Sequence, residues 1–257
     1  MIAPVAPYAA RGVIWYQGEG NRARAWQYRA ALPLLIRDWR ERWGRGDWPF
    51  YFCQLAAFGA PAARPGESDW AELREAQALA TRVPNTALAV TLDLGEAEDI
   101  HPRRKAEVGE RLARIALARD YGRAVVYRGP VWRALRVEGD KVRLAFDHCD
   151  GGLVARPLPV SYALSTLKGT SAPLTRRSPR GQLEGFAICG ADRHWVWADA
   201  EIDGDTVIVS APGVARPVAV RYAWSDFPVG NLYNGAGLPA GTFRTDDFPL
   251  LSRDGAY

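Results

Sequence analysis

Two short stretches hold most of the side chains able to do chemistry. The first is Gln17-Gly18-Glu19-Gly20-Asn21, where two glycines alternate with three side chains that donate or accept hydrogen bonds. The second is Asp99-Ile100-His101-Pro102, with one of only three histidines in the chain. An imidazole at such a place can act as the general base of a hydrolysis, given a carboxylate to orient it. The plainer alternatives are a turn leading into a helix cap for the first stretch and a packed or capping imidazole for the second. Motifs for other chemistries are absent: the sequence has no phosphate loop, no dinucleotide fingerprint, no histidine-rich metal cluster and no Gly-x-Ser-x-Gly elbow. No cofactor and no metal is therefore expected.

The elements around these stretches alternate in type. Val13–Tyr16 is an apolar, β-branched and aromatic run that predicts a strand buried on both faces. Residues 23–43 predict a helix with Trp26, Ala30, Leu34 or Leu35, and Trp39 on one stripe, kinked or divided at Pro33 and with Asn21 as a possible cap. Pro49–Leu55 predicts a second buried strand, and Cys53 within it reads as a small buried hydrophobe. Ser68 or Asp69 caps a helix to about Val83, with Trp70, Leu73, Gln77 and Ala80 along one face. Thr86–Leu92 predicts a third strand, a polar loop runs from Asp93 to Pro102, and a helix covers 103–121. Strand and helix in alternation imply parallel strands with right-handed crossovers, so both polar stretches fall at one sheet edge, where ligands of open α/β sheets bind.

The spacing Gly12-Val-Ile-Trp-Tyr-Gln-Gly-Glu-x-Asn21 resembles a central motif of the sialate O-acetylesterase family, carbohydrate esterases of the SGNH-hydrolase superfamily. The resemblance continues through Trp39-Arg40, Gln54-Leu55, Leu73–Gln77 and Asp99–Pro102, and returns in Arg221–Trp224, Asn231–Asn234 and Phe243–Asp246. It implies the C-terminal part of a three-layer parallel α/β domain, hydrolysis of O-acetyl esters on sialic acid or similar acylated sugars, and His101 as the base. The orienting acid it implies is Glu19 or Asp99, with Glu19 the first choice. Gln17 and the Gly18 amide are the expected oxyanion donors, and Asn21 either shares that task or caps the helix. Family members carry an earlier Gly-Gln-Ser-Asn motif that supplies the nucleophilic serine, and nothing like it precedes Gly12. The expectation is a truncated product, or a chain that works with a separate N-terminal segment or chain. A different class of function, a glycan-binding or scaffolding protein without the chemistry, is the alternative.

After Gly122 the pattern changes to short strand-like runs, among them Val125–Tyr127, Trp132–Val137, Val142–Phe146, Phe186–Cys189, Thr206–Ser210 and Pro217–Trp224. Residues 1–122 are thus expected to be the partial α/β domain and 123–257 a β-rich, sandwich-like domain, interrupted by a long loop across Arg156–Gln182. His148 and His194 beside turns read as solvated, and the tryptophans of this part as core more than as sugar platforms. Arg74 and Glu75 read as a helix face locking loops by ion pairs.

With 48% hydrophobic and 24% charged residues the chain has an ordinary globular composition. Its net charge of +4 is dispersed, which argues against nucleic-acid binding, and no apolar run approaches the roughly 20 residues of a membrane span. Three scattered cysteines, Cys53, Cys149 and Cys189, argue against a disulfide framework. Met1–Tyr8 does not read as a signal peptide, although the family resemblance implies export.

Overall fold

The computed structural model describes residues 2–158 and 182–254. The loop expected across Arg156–Gln182 falls largely outside them. Three strands, β1 (Val13–Trp15), β2 (Phe50–Cys53) and β3 (Thr86–Ala89), form a parallel sheet in that order. Helices α1 (Ala25–Trp43) and α2 (Asp69–Ala80) cover one face through Phe50, Phe52, Leu32, Ile36 and Leu73. Helix α3 (Lys105–Arg119) covers the other through Tyr51, Cys53, Ala87, Val108 and Ile115. The alternation of Phe50 and Phe52 with Tyr51 and Cys53 is the strand period of two, feeding two layers of helix from one strand.

Several sequence expectations need correction here. β1 is not buried on both faces: among the described residues it pairs only with β2, and Ile14 is 70% exposed. The buried stripe of α1 is Ala25, Tyr28, Leu32, Ile36 and Arg40, whereas Trp26 and Leu34 face outward. Trp26 is an amphipathic ring covered by Arg29 and Arg253, which is why its size misled the phase. Pro33 lies inside a continuous α1, and Asn21 does not cap it. A 3-10 turn, Glu19–Arg24, precedes the helix instead. Helix α3 starts later than expected, so Pro102 stands in the preceding loop. Ser68 does cap α2, accepting the Ala71 amide at 3.0 Å.

Beyond α3 the described residues form strands and a single 3-10 turn at Leu251–Asp254. β4 (Val131–Glu138), β5 (Lys141–Asp147), β9 (Asp199–Asp203) and β10 (Thr206–Ser210) make one antiparallel sheet in the order β4-β5-β10-β9. β7 (Phe186–Cys189), β8 (Val196–Trp197), β11 (Ala219–Tyr222) and β13 (Phe243–Arg244) make another in the order β13-β11-β7-β8. One apolar cluster takes Val142, Leu144 and Val207 from the first sheet and Phe186, Ile188, Val220 and Tyr222 from the second. That is the arrangement of a β-sandwich. A small pair, β6 (Leu153–Ala155) with β12 (Leu232–Asn234), lies beside them. Val125–Tyr127, expected as a strand, is irregular.

Fully buried Arg74 joins the two parts. It donates to the carbonyls of Leu55 and Ala56 beyond β2 and of Ser225 and Asp226 beyond β11, at 2.7–2.9 Å. These bonds to carbonyls lock the loops, and Glu75 makes ion pairs with Arg29 and Arg244.

Candidate active site

The loops that leave β1 and β3 open at the same end of the sheet. After β3 the chain passes a 3-10 turn, Leu92–Leu94, and reaches Gly95, where a Cβ would lie 2.0 Å from the Ala57 carbonyl oxygen. Only glycine permits that approach, which knits the loops beyond β2 and β3 together. The Gly59 amide then donates to Ala97 at 3.0 Å. The base of the next loop is closed by Glu96, which accepts the Arg103 amide at 2.9 Å. Asp99 and His101 sit on the segment so held.

Asp99 accepts the backbone amide of His101 at 2.8 Å, and the same oxygen lies 3.7 Å from the ring Nδ1. A two-residue turn of this kind is the usual local bond of an aspartate. Here it also sets the carboxylate beside the imidazole. The ring is 83% exposed, so it stands on the surface of the described residues and not in a pocket. Ile100, between them, packs against the apolar cluster that α1 and α2 make with the sheet. Lys105 lies over the Tyr16 ring at 5.2 Å, tying the start of α3 to the end of β1.

On the other loop, Tyr28 of α1 donates to the Gln17 side-chain oxygen at 3.0 Å, and Gln17 Nε2 donates to Asn21 Oδ1 at 2.8 Å. Gln77 of α2 holds the Gln17 carbonyl at 3.2 Å. This chain fixes the Gln17 amide and leaves the Asn21 amide nitrogen without a partner among the described residues, directed by the bond its oxygen accepts. Gly18 is buried, and a Cβ there would come within 3.0 Å of Gln77 and 3.2 Å of Leu73. Glu19 opens the 3-10 turn and makes no ion pair among the described residues. Burial pushes Tyr16 up to about 12, with Cys53 and Glu19 adding to it, so both tyrosines near this loop stay protonated donors.

The structure thus brings His101 to Asp99, and Gln17 to Asn21, but sets no contact between Glu19 and His101. Tyr28 and Gln77, which position Gln17, were missed as site residues; Gln77 lay in the Leu73–Gln77 motif and on a helical stripe, neither of which separates core from site, and Tyr28 carried no signal. Asp93 is structural: Arg111 binds it in a bidentate pair at 2.5 and 2.7 Å, and Tyr233 donates to it at 2.9 Å. Ser68, besides capping α2, donates to Asp226. His148 and His194 are exposed, and Trp224 is buried. All three cysteines are free, and burial pushes the Cys53 thiol up to about 12. No helix among the described residues is long and apolar enough to cross a membrane.

A three-layer α/β sheet carrying polar loops at one edge, followed by an antiparallel sandwich, defines the class of scaffold to which the comparisons with known proteins speak. Residues 3–118 match the family model of a carbohydrate esterase, sialic acid-specific acetylesterase. The sialate O-acetylesterase of Homo sapiens is 32% identical over 253 residues, which are 89% of this chain and 43% of that protein. The Mus musculus sialate O-acetylesterase is 27% identical, over 89% of this chain and 42% of its own length. The crystal structure of a carbohydrate acetylesterase from Xanthomonas citri superposes with a TM-score of 0.81 at 40% identity, covering 95% of this chain and 52% of that one. Residues 3–118 thus match the sialic acid-specific acetylesterases among the carbohydrate esterases, and the chain as a whole is similar to sialate O-acetylesterases. It spans less than half the length of the curated relatives it matches.

Proposed function

We propose that the chain supplies the base, the orienting acid and the oxyanion donors of a serine-type esterase that removes O-acetyl groups from sialic acid or similarly acylated sugars. The observation that carries this reading is the Asp99–His101 pair on the loop beyond β3, in a chain similar to sialate O-acetylesterases. His101 takes the proton of the attacking hydroxyl and returns it to the leaving sugar oxygen, and Asp99 holds the ring and balances its charge. The 3.7 Å separation is longer than a hydrogen bond, as unliganded sites often are, and closes on substrate binding. Asn21, Gln17 and the Gly18 amide face the carbonyl oxygen as it becomes an anion. Residues 1–122 hold this chemistry in the present reading, and 123–257 form a separate β domain packed against it.

The attacking serine comes from elsewhere than the described residues. Ser68 is spent on the α2 cap and Asp226, and Ser252 on Glu72. On the reading that the family's Gly-Gln-Ser-Asn motif supplies the serine, the chain alone should hydrolyse a chromogenic acetyl ester barely above background. Fused or mixed with the N-terminal region of a full-length relative, it should turn over in a way that His101→Ala abolishes. Strong, His101-dependent activity of the chain alone would overturn the reading and make Ser68 the first serine to test.

A further inference from the structure

A second cavity, of about 130 Å³, lies at the seam between the end of α2, the edge strand β3 and the β-sandwich. None of Gln17–Asn21, Asp99 or His101 lines it. One wall is aromatic: Trp132 and Phe243 stack at 5.9 Å with 10° between their planes. Two polar groups on its lining have no partner among the described residues. Gln54 is fully buried, and its Oε1 accepts no hydrogen bond. Its Nε2 donates to the Arg74 carbonyl at 3.3 Å. Turning the amide round would set oxygen against that carbonyl, so Oε1 is the unpaired acceptor of this lining residue, and it is buried. The hydroxyls of Thr81 and Thr242 donate to the carbonyls of Ala78 and Ala223 and do not reach it. Gly241 lacks a left-handed φ, and a Cβ there would stand 3.1 Å from Gln54 Oε1, so its glycine leaves room for the amide.

The second group is the half-buried guanidinium of Arg128, which forms no ion pair among the described residues. Burial pushes it below its ordinary value, the mark of a cation short of a counter-ion. It stands where this cavity meets a neighbouring hollow that Arg82 and Arg119 also line. A buried water takes about three hydrogen bonds. Gln54 offers one acceptor on an otherwise apolar wall, so an organic hydroxyl suits it better than water.

We propose that this cavity binds a small carboxylate that bears a hydroxyl on a flat apolar body. The carboxylate pairs with Arg128, the hydroxyl donates to Gln54 Oε1, and the ring lies along Trp132 and Phe243. Titration calorimetry of the full chain with 4-hydroxybenzoate, benzoate and phenol tests each contact without any variant. 4-Hydroxybenzoate should bind about tenfold tighter than benzoate, the worth of one hydrogen bond to a buried acceptor. Gln54→Met should erase that difference while benzoate still binds. Arg128→Gln should weaken both acids and leave phenol unchanged. Equal binding of 4-hydroxybenzoate and benzoate, no binding of either acid at millimolar concentration, or acid binding that survives Arg128→Gln would overturn the proposal.

Discussion

At the level of single residues, the two carboxylates offered to His101 differ in what they can do. Asp99 lies against both the backbone amide and the ring of His101, whereas Glu19, in the turn before α1 and near Tyr16 and Tyr28, meets neither. An orienting acid works by fixing the tautomer and steadying the imidazolium, which needs contact. In the complemented enzyme, Asp99→Asn should lower kcat by on the order of 10³–10⁴, the loss seen when a triad loses its carboxylate. Glu19→Gln should stay within about tenfold, because it removes only a neighbouring charge. Steady-state kinetics of the two variants decide it, and the reverse order would return the role to Glu19. His101 and both carboxylates could be picked out from residue type and loop position. Which of them lies against the ring could not, because that turns on a two-residue backbone turn that spacing alone does not specify.

At the level of elements, apolar runs located the three parallel strands and helical periodicity the three helices between and after them. Pattern failed where a strand is short or lies at an edge. β9 reads Asp-Ala-Glu-Ile-Asp, with exposed carboxylates alternating with half-buried Ala200 and Ile202, and its acidic composition concealed the alternation. β1 looked like a central strand because Ile14 is apolar, yet among the described residues its outer edge is unpaired. An apolar strand edge of that kind templates association. Ile14→Lys should shift the isolated chain toward monomer in sedimentation velocity, and an unchanged distribution would show that β1 is not the contact. The C-terminal turn is held just as specifically. Buried Glu72 of α2 accepts the amides of Leu251 and Ser252 at 2.7 and 3.0 Å, and the Ser252 hydroxyl accepts the Trp26 amide at the start of α1. Glu72→Gln swaps one acceptor oxygen for a donor facing donors, and should cost about 2–3 kcal/mol. Thermal unfolding would read the loss, and hydrogen exchange should show Leu251–Asp254 opening first.

At the level of the whole molecule, a line of alternating charges ties the helical layer to the sandwich. Arg29 of α1 pairs with Glu75 of α2, Glu75 with Arg244 of β13, Arg244 with Asp246, and Asp246 with Arg221 of β11, which also meets Glu67 at 2.8 Å. Three guanidinium groups thus face three carboxylates. Arg221 and Asp246 are each 1% exposed, and the rings of Trp195 and Trp224 cover Arg221 at 4.3 and 5.0 Å. Burial by itself would raise the Asp246 carboxyl, but the hydrogen bonds and charge of Arg221, with Arg244, hold it below its ordinary value. A carboxyl whose folded pKa is depressed adds stability above its unfolded pKa of about 3.9 and loses it as pH falls toward the folded value. Asp246→Asn leaves the buried Arg221 with only the part-exposed Glu67 as counter-charge, so it should destabilise the protein by about 3 kcal/mol at neutral pH, the low end for breaking a buried pair. The gap between wild type and variant should hold down to about pH 5 and narrow steadily below pH 4, as wild-type Asp246 takes up its own proton. Denaturant unfolding of both proteins at matched pH values measures it. A gap that stays constant into strong acid would mean that Asp246 acts through packing and not through its charge.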